Sequence, residues 1–143
     1  MGGWRNGTGT LTVDDEGAPP EEVAPVPVSM PMPAPVPVPV PVEIAASYGT
    51  RRRGLLGRDG IDGALLLTPC GSVHTFGMRF AIDVAYLDRR MRVLGVATLR
   101  PGRMPLPRLR ARHVLEAEAG TMAGWGLRTG VRVRIEADPS PPA

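Results

Sequence analysis

The stretch PCGSVHTFGMRFAIDVAYLD, residues 69–88, gathers the side chains of this sequence best suited to chemistry. It holds the only cysteine, Cys70, one of the two histidines, His74, and a lone carboxylate, Asp83, inside an apolar run. A cysteine beside a histidine suggests a nucleophile, because the imidazole can take the thiol proton and leave a thiolate to attack. The spacing works against that chemistry. Four residues of extended chain would separate Cys70 and His74 by roughly 13 Å, so only a sharp turn at Gly71-Ser72 could join them. A small thiol packed beneath a turn, with a histidine satisfied by backbone, fits the spacing better. A metal site fits less well still. Zinc takes three or four ligands, His113 lies far along the chain, and no Cys-x-x-Cys or His-Glu-x-x-His is present. No metal is expected.

Asp83 poses a different problem. In an extended MRFAIDVAYLD (78–88), Phe80, Ile82, Val84 and Tyr86 share one face, and Ala81, Asp83, Ala85 and Leu87 share the other. A carboxylate among alanines must reach a solvated groove or find a partner, since an unpaired buried charge is costly. The sequence offers arginines, and a bidentate pair from Arg53 or Arg58 to Asp83 would clamp a helix to the sheet. Glu116 is the second carboxylate that could join such a clamp. If the segment borders a groove, His74, Met78, Arg79 and Asp83 are its expected lining.

The elements that must hold these residues are mostly strands. Strand patterns fall at 8–13, 42–47, 64–69, 78–88, 92–100, 112–120 and 131–137. A short basic helix is expected around Thr50–Leu56, stopped by Gly57. One or two helical turns are expected in 121–130, starting at Gly120 or Thr121 and stopped by Gly130. Gly54, Gly57, Gly60 and Gly63 recur every third residue but follow a helix instead of opening one, so they form no dinucleotide loop. No cofactor is implied. Short strands at close spacing predict a mainly β (α+β) fold, a small antiparallel sandwich or partly open barrel with two short helices.

The remaining organisation divides at compositional boundaries. Residues 1–17 hold an N-terminal strand and turn, 18–41 a proline-rich low-complexity segment, 42–137 the β-rich domain, and 138–143 a disordered tail. Proline occupies every second position from Pro31 to Pro41, which excludes a helix or an internal strand and leaves polyproline II. The twelve residues 31–42 would then form a rod of about 37 Å. Such a rod could serve as a spacer or a loop insertion, or as a handle for a protein partner.

A chain of 143 residues with 43% hydrophobic and 4% aromatic residues allows one domain with a core. All 17 basic side chains are arginine, and the formal net charge is +3. Residues 1–42 carry one arginine against five acids, while residues 43–136 carry sixteen against eight. A basic domain can attract an anionic ligand. Arg51–Arg53, Arg58 and the arginine-rich loop 100–112 are the expected contacts. No aromatics alternate with these arginines, so a single-strand nucleic-acid surface lacks its stacking half. One cysteine forms no internal disulfide. No stretch approaches the length of a membrane span, and a cytoplasmic location is expected.

Four segments in order, RRRGLLGR (51–58), SVHTFGMRFAIDVAYLD (72–88), RHVLEAEAG (112–120) and GLRTGVRV (126–133), resemble the bacterial family called domain of unknown function 192. The resemblance covers about residues 42–136. It implies a compact, mostly β domain whose short helix carries the arginines of RGLLGR, and it implies no activity. The strand at 8–13 can belong to the same domain, which would make the proline-rich segment an insertion in the first strand-to-strand connection, a tolerable cost in loop entropy. Two positions depart from the family pattern. Ala81 stands where proline is frequent, and Gly130-Val131 stands where Gly-Asp is frequent. The leading functional reading is a binding or scaffolding module. The alternatives are an enzyme with a thiol and imidazole near Cys70 and His74, and an accessory protein binding anions or nucleic acid through its arginines.

Overall fold

The computed structural model describes residues 3–14 and 39–139. All of the expected proline-rich segment except residues 39–41 lies outside these, as do residues 140–143 of the expected tail. Seven strands form, β1 (Gly7–Asp14), β2 (Val40–Ala45), β3 (Ala64–Leu67), β4 (Ile82–Leu87), β5 (Val93–Leu99), β6 (His113–Glu118) and β7 (Arg132–Ala137). Helix α1 (Tyr48–Arg53) lies between β2 and β3, and α2 (Thr121–Gly124) between β6 and β7. The strands make one sheet in the order β5-β4-β6-β3-β2-β1-β7.

Every neighbouring pair is antiparallel except β2 with β3. Two parallel strands need a long crossover, and residues 46–63, which contain α1, supply it. Strand β2 starts at Val40, so Pro41 lies inside a strand that has neighbours on both sides. Proline is tolerated there because pairing with β3 begins only at Val42, so the missing N–H breaks no bond on that side. The sheet curls until its two ends meet at one corner. There Val93 N–H donates to the Val131 carbonyl, Gly130 N–H to the Val93 carbonyl, and Val133 N–H to the Met91 carbonyl. Of the two forms expected, the fold is the partly open barrel.

Local chemistry sets the helix ends. Helix α1 begins two residues before the expected start, because the Ser47 hydroxyl accepts from the Thr50 N–H at 3.3 Å and caps the first turn. It ends at Arg53, three residues short of the expected Leu56, because Gly54 takes φ 48° and donates back to the Thr50 carbonyl. Asn6 ties the N-terminal strand to this start, its Oδ1 accepting from the N–H groups of Ala46 and Ser47 and from the Thr50 hydroxyl. Helix α2 is a single turn. Strand β4 begins at Ile82 and not near Met78, because Thr75–Met78 closes a turn, Met78 N–H donating to the Thr75 carbonyl.

The alternation read from β4 separates two cores. Ala85 and Leu87 pack with Leu11, Leu66, Leu115, Met122 and Val133. This cluster draws on all seven strands and so fills the inside of the curl. Ile82, Val84 and Tyr86 pack on the outer face with Leu55, Val73 and Met78, which come from the loops covering it. Every residue of β4 is buried, so it contributes side chains to both layers.

Candidate functional site

Asp83 makes no pair with an arginine. Its Oδ1 accepts from the Thr98 hydroxyl at 2.6 Å, and its Oδ2 accepts from the N–H groups of Gly120 at 2.9 Å and Met122 at 3.1 Å. The expected clamp to Arg53 or Arg58 is therefore corrected. Three donors satisfy the carboxylate without a counter-ion, and two of them are orphan N–H groups at the start of α2. Gly120, the N-cap residue, has no side chain to cap that turn, so Asp83 caps it from across the fold. Arg58 instead grips Glu43, its Nη1 and Nη2 lying 2.6 and 3.2 Å from the two carboxylate oxygens. Both partners are partly exposed, which limits such a pair to about 1 kcal/mol or less. Arg53, the last residue of α1, is exposed and makes no side-chain hydrogen bond or ion pair among the described residues.

The proposed groove residues do not converge. Met78 is buried in the outer core. Arg79 is exposed and pairs with Asp59 at 3.2 Å. The His74 ring stacks on Phe76 with centroids 5.5 Å apart. Asp83 faces the inner core side of the sheet. Cys70 and His74 are not joined either, since the Cys70 Sγ donates to the Ser72 carbonyl at 3.1 Å. Burial pushes the Cys70 thiol up, with the nearby Glu116 carboxylate adding to the effect and Arg51 opposing it. A thiol held protonated is a poor nucleophile. Iodoacetamide is expected to alkylate Cys70 at neutral pH several-fold more slowly than an unstructured cysteine peptide. A rate equal to or above that of the peptide would show an activated thiol and revive the enzyme reading.

Glu116 has no hydrogen-bond or ion-pair partner among the described residues. It sits on β6 between Leu65 of β3 and Val84 of β4, is 6% exposed, and accepts no hydrogen bond from the described residues. No fully sealed side-chain N or O atom among the described residues lacks a partner, so its oxygens keep a path to the surface. Burial pushes its carboxyl up to about 7. Tyr86 lies on the same face, and burial raises its hydroxyl as well. The Arg108 guanidinium covers the Tyr86 ring, 5.1 Å from its centroid. Gly95, opposite Tyr86 on β5, makes the room, since a Cβ there would meet the Arg108 Nη2 at 3.1 Å.

Arg108 belongs to the loop 100–112, which sequence reasoning named only as a source of charge. Buried Thr75 fastens this loop to the 72–78 turn. Its hydroxyl donates to the Arg100 carbonyl at 2.6 Å and accepts from the Arg103 N–H at 2.8 Å, and its own N–H donates to the Arg103 carbonyl at 2.8 Å. Beside this buckle, Thr98, Leu99, Arg100, Arg103, Met104 and Pro105 line a surface cleft of about 340 Å³. The side chains of Arg100 and Arg103 make no hydrogen bond or ion pair among the described residues. Other arginines are occupied. Arg51 Nη1 donates to the Pro69 carbonyl at 2.7 Å, and Arg112 Nη1 donates to the carbonyls of Leu109 and Ala111. Among the described residues no cluster of three or more His, Cys, Asp or Glu side chains could hold a metal, and no helix is long and apolar enough to cross a membrane.

The curled seven-stranded half-barrel with two short helices places the chain among small, mostly β domains. The family model DUF192, described as an uncharacterized ACR, matches residues 34–135, and the chain belongs to this family, for which no activity is assigned. Relatives by sequence include the UPF0127 protein PH1112 of Pyrococcus horikoshii, 45% identical over 49 residues, covering 34% of this chain and 43% of that protein. A UPF0127 protein of Pyrococcus abyssi is 36% identical over 62 residues, covering 43% and 53%. The matches thus span about half the length of these relatives. Their archaeal origin makes the expected bacterial restriction too narrow. Two crystal structures share the fold. A protein of unknown function from Novosphingobium aromaticivorans gives a TM-score of 0.65 at 17% identity over 87% of this chain and 83% of that one. A proposed transcription regulator from Sinorhizobium meliloti gives 0.69 at 15% identity over 94% and 98%.

Proposed function

We propose that this chain is a binding module for an anionic group, a carboxylate or phosphate, held in the cleft beside Thr75. The observation that carries this reading is the pair of unengaged guanidiniums, Arg100 and Arg103, on one cleft with otherwise apolar or hydroxyl walls. Guanidinium forks suit carboxylate and phosphate oxygens, and the Thr75 bonds fix the backbone at both arginines, so little order is lost on binding. Leu99, Met104 and Pro105 would accept a short apolar stem next to the charge. An enzymatic role has less support, because Cys70 and His74 stand apart and the thiol is held protonated.

Titration with inorganic phosphate, followed by amide chemical shifts, tests the reading. Shifts are expected to concentrate in residues 98–105, to weaken with salt, and to vanish in the double variant Arg100→Gln/Arg103→Gln. Absent shifts, or shifts that persist in the double variant, would refute the cleft as the site.

A further inference from the structure

We propose that the loop 100–112 is a peripheral docking surface for an anionic lipid bilayer. Its arginines would meet headgroup phosphates, and Met104, Leu106 and Leu109 would enter the acyl boundary. The proposal deepens the anion-binding reading above and rests on it for the roles of Arg100 and Arg103.

Three independent features of the loop point the same way. Met104, Leu106 and Leu109 are 70%, 87% and 93% exposed, a dense set of bare aliphatic tips for one short segment. Phe76, 51% exposed, stands on the turn that Thr75 fastens to the loop. The second feature is charge. Residues 89–115 carry eight arginines and no acid, and five of the eight lie within 100–112. Aliphatic tips interleaved with basic side chains match a surface whose apolar layer begins just below a negative one. The third feature is the backbone. Pro101, Pro105 and Pro107 have no N–H, so fewer donors must be satisfied when the loop leaves water.

The loop is also held in shape before it binds. Besides the Thr75 buckle, Arg108 N–H donates to the Gly71 carbonyl at 3.2 Å and Ala111 N–H to the Arg108 carbonyl at 3.1 Å. The Arg108 guanidinium rests on Tyr86. A fixed loop presenting free tips spends little conformational freedom on docking. The nearly complete exposure of Leu106 and Leu109 favours a planar, deformable phase over a shaped protein groove, which would have to match each tip with its own pocket and acids.

The test is co-sedimentation with phosphatidylcholine vesicles, with and without phosphatidylglycerol, at low and high salt. The wild-type chain is expected to sediment with the anionic vesicles only, and less so at high salt. Leu106→Ser/Leu109→Ser, which alters only exposed side chains, is expected to reduce vesicle binding by about tenfold or more while leaving the phosphate-induced shifts at 98–105 intact. Arg100→Gln/Arg103→Gln is expected to weaken both. Leu106→Trp is expected to show a blue-shifted emission with anionic vesicles. Vesicle binding undiminished in the double serine variant, or no blue shift, would reduce the contact to surface adsorption and overturn the proposal. Phosphate shifts without vesicle binding would overturn it and leave the anion reading standing, as would capture by an acidic peptide in preference to vesicles. Loss of both in the wild-type chain would remove both readings.

Discussion

Replacing Asp83 with alanine is expected to lower the unfolding free energy by about 3 kcal/mol, and the melting temperature by about 10 °C. The carboxylate holds three donors from two elements, the Thr98 hydroxyl on β5 and the N–H groups of Gly120 and Met122 at the start of α2. Thr98 and Gly120 are exposed and can turn to water, but Met122 is fully buried, and its N–H would lose the only acceptor it has among the described residues. The choice between a capping role and an ion-pair role rests on Asp83→Asn. An asparagine can present its carbonyl oxygen to the two N–H groups and its amide to the Thr98 oxygen, so it should cost about 1 kcal/mol. In an arginine clamp the same change would strand a guanidinium and cost nearly as much as alanine. Urea unfolding of the two variants decides between them. Equal losses would mean that the capping account is wrong. A double-mutant cycle with Thr98→Val should show coupling between the two side chains.

Why the partner was misread follows from what a sequence displays. Alternation along β4 correctly set Asp83 on the opposite face from Tyr86, since side-chain direction in a strand depends only on parity. Identifying a partner needs the register between strands, and register depends on turns whose geometry the sequence specifies weakly. Thr98 lies directly opposite Asp83 because the β4–β5 hairpin pairs them. Backbone N–H groups carry no label at all, so arginines, which are conspicuous, drew the assignment. A signal did exist. If the helical turn starts at Gly120 and not at Thr121, its N-cap has no side chain, so an acceptor has to come from elsewhere, and a lone buried carboxylate was available. Arg58 shows the same limit from the other side. Its partner Glu43 already lay on the expected strand at 42–47, but which arginine meets it depends on the path of the crossover between β2 and β3, which no spacing in the sequence displays. The cleft was hidden for a further reason. It depends on Thr75, a residue with no charge, whose hydroxyl bonds to backbone of a loop 25 and 28 residues away.

The second large effect concerns Glu116 and depends on pH. Burial pushes its carboxyl from 4.5 up to about 7 in the folded chain. Between these values the folded state holds a proton that the unfolded state has released, so stability falls as pH rises. The favourable contribution is complete below about pH 4.5 and is lost as the pH passes through about 7, which amounts to about 3 kcal/mol. Glu116→Gln removes the ionisation. Whatever constant cost the buried amide adds, the difference between variant and wild type should shift in favour of the variant by about 3 kcal/mol between about pH 4.5 and pH 8.5. Unfolding by urea at the two ends of that range measures it, and a difference independent of pH would show that the carboxylate ionises as freely as it does in water. The same substitution acts on Cys70. Above pH 7 the ionised Glu116 opposes a thiolate at Cys70, so neutralising it should speed alkylation there and leave the rate near pH 5 unchanged. One carboxylate buried between Leu65 and Val84 would then make the stability of the half-barrel depend on pH and add to the burial that holds its single thiol protonated.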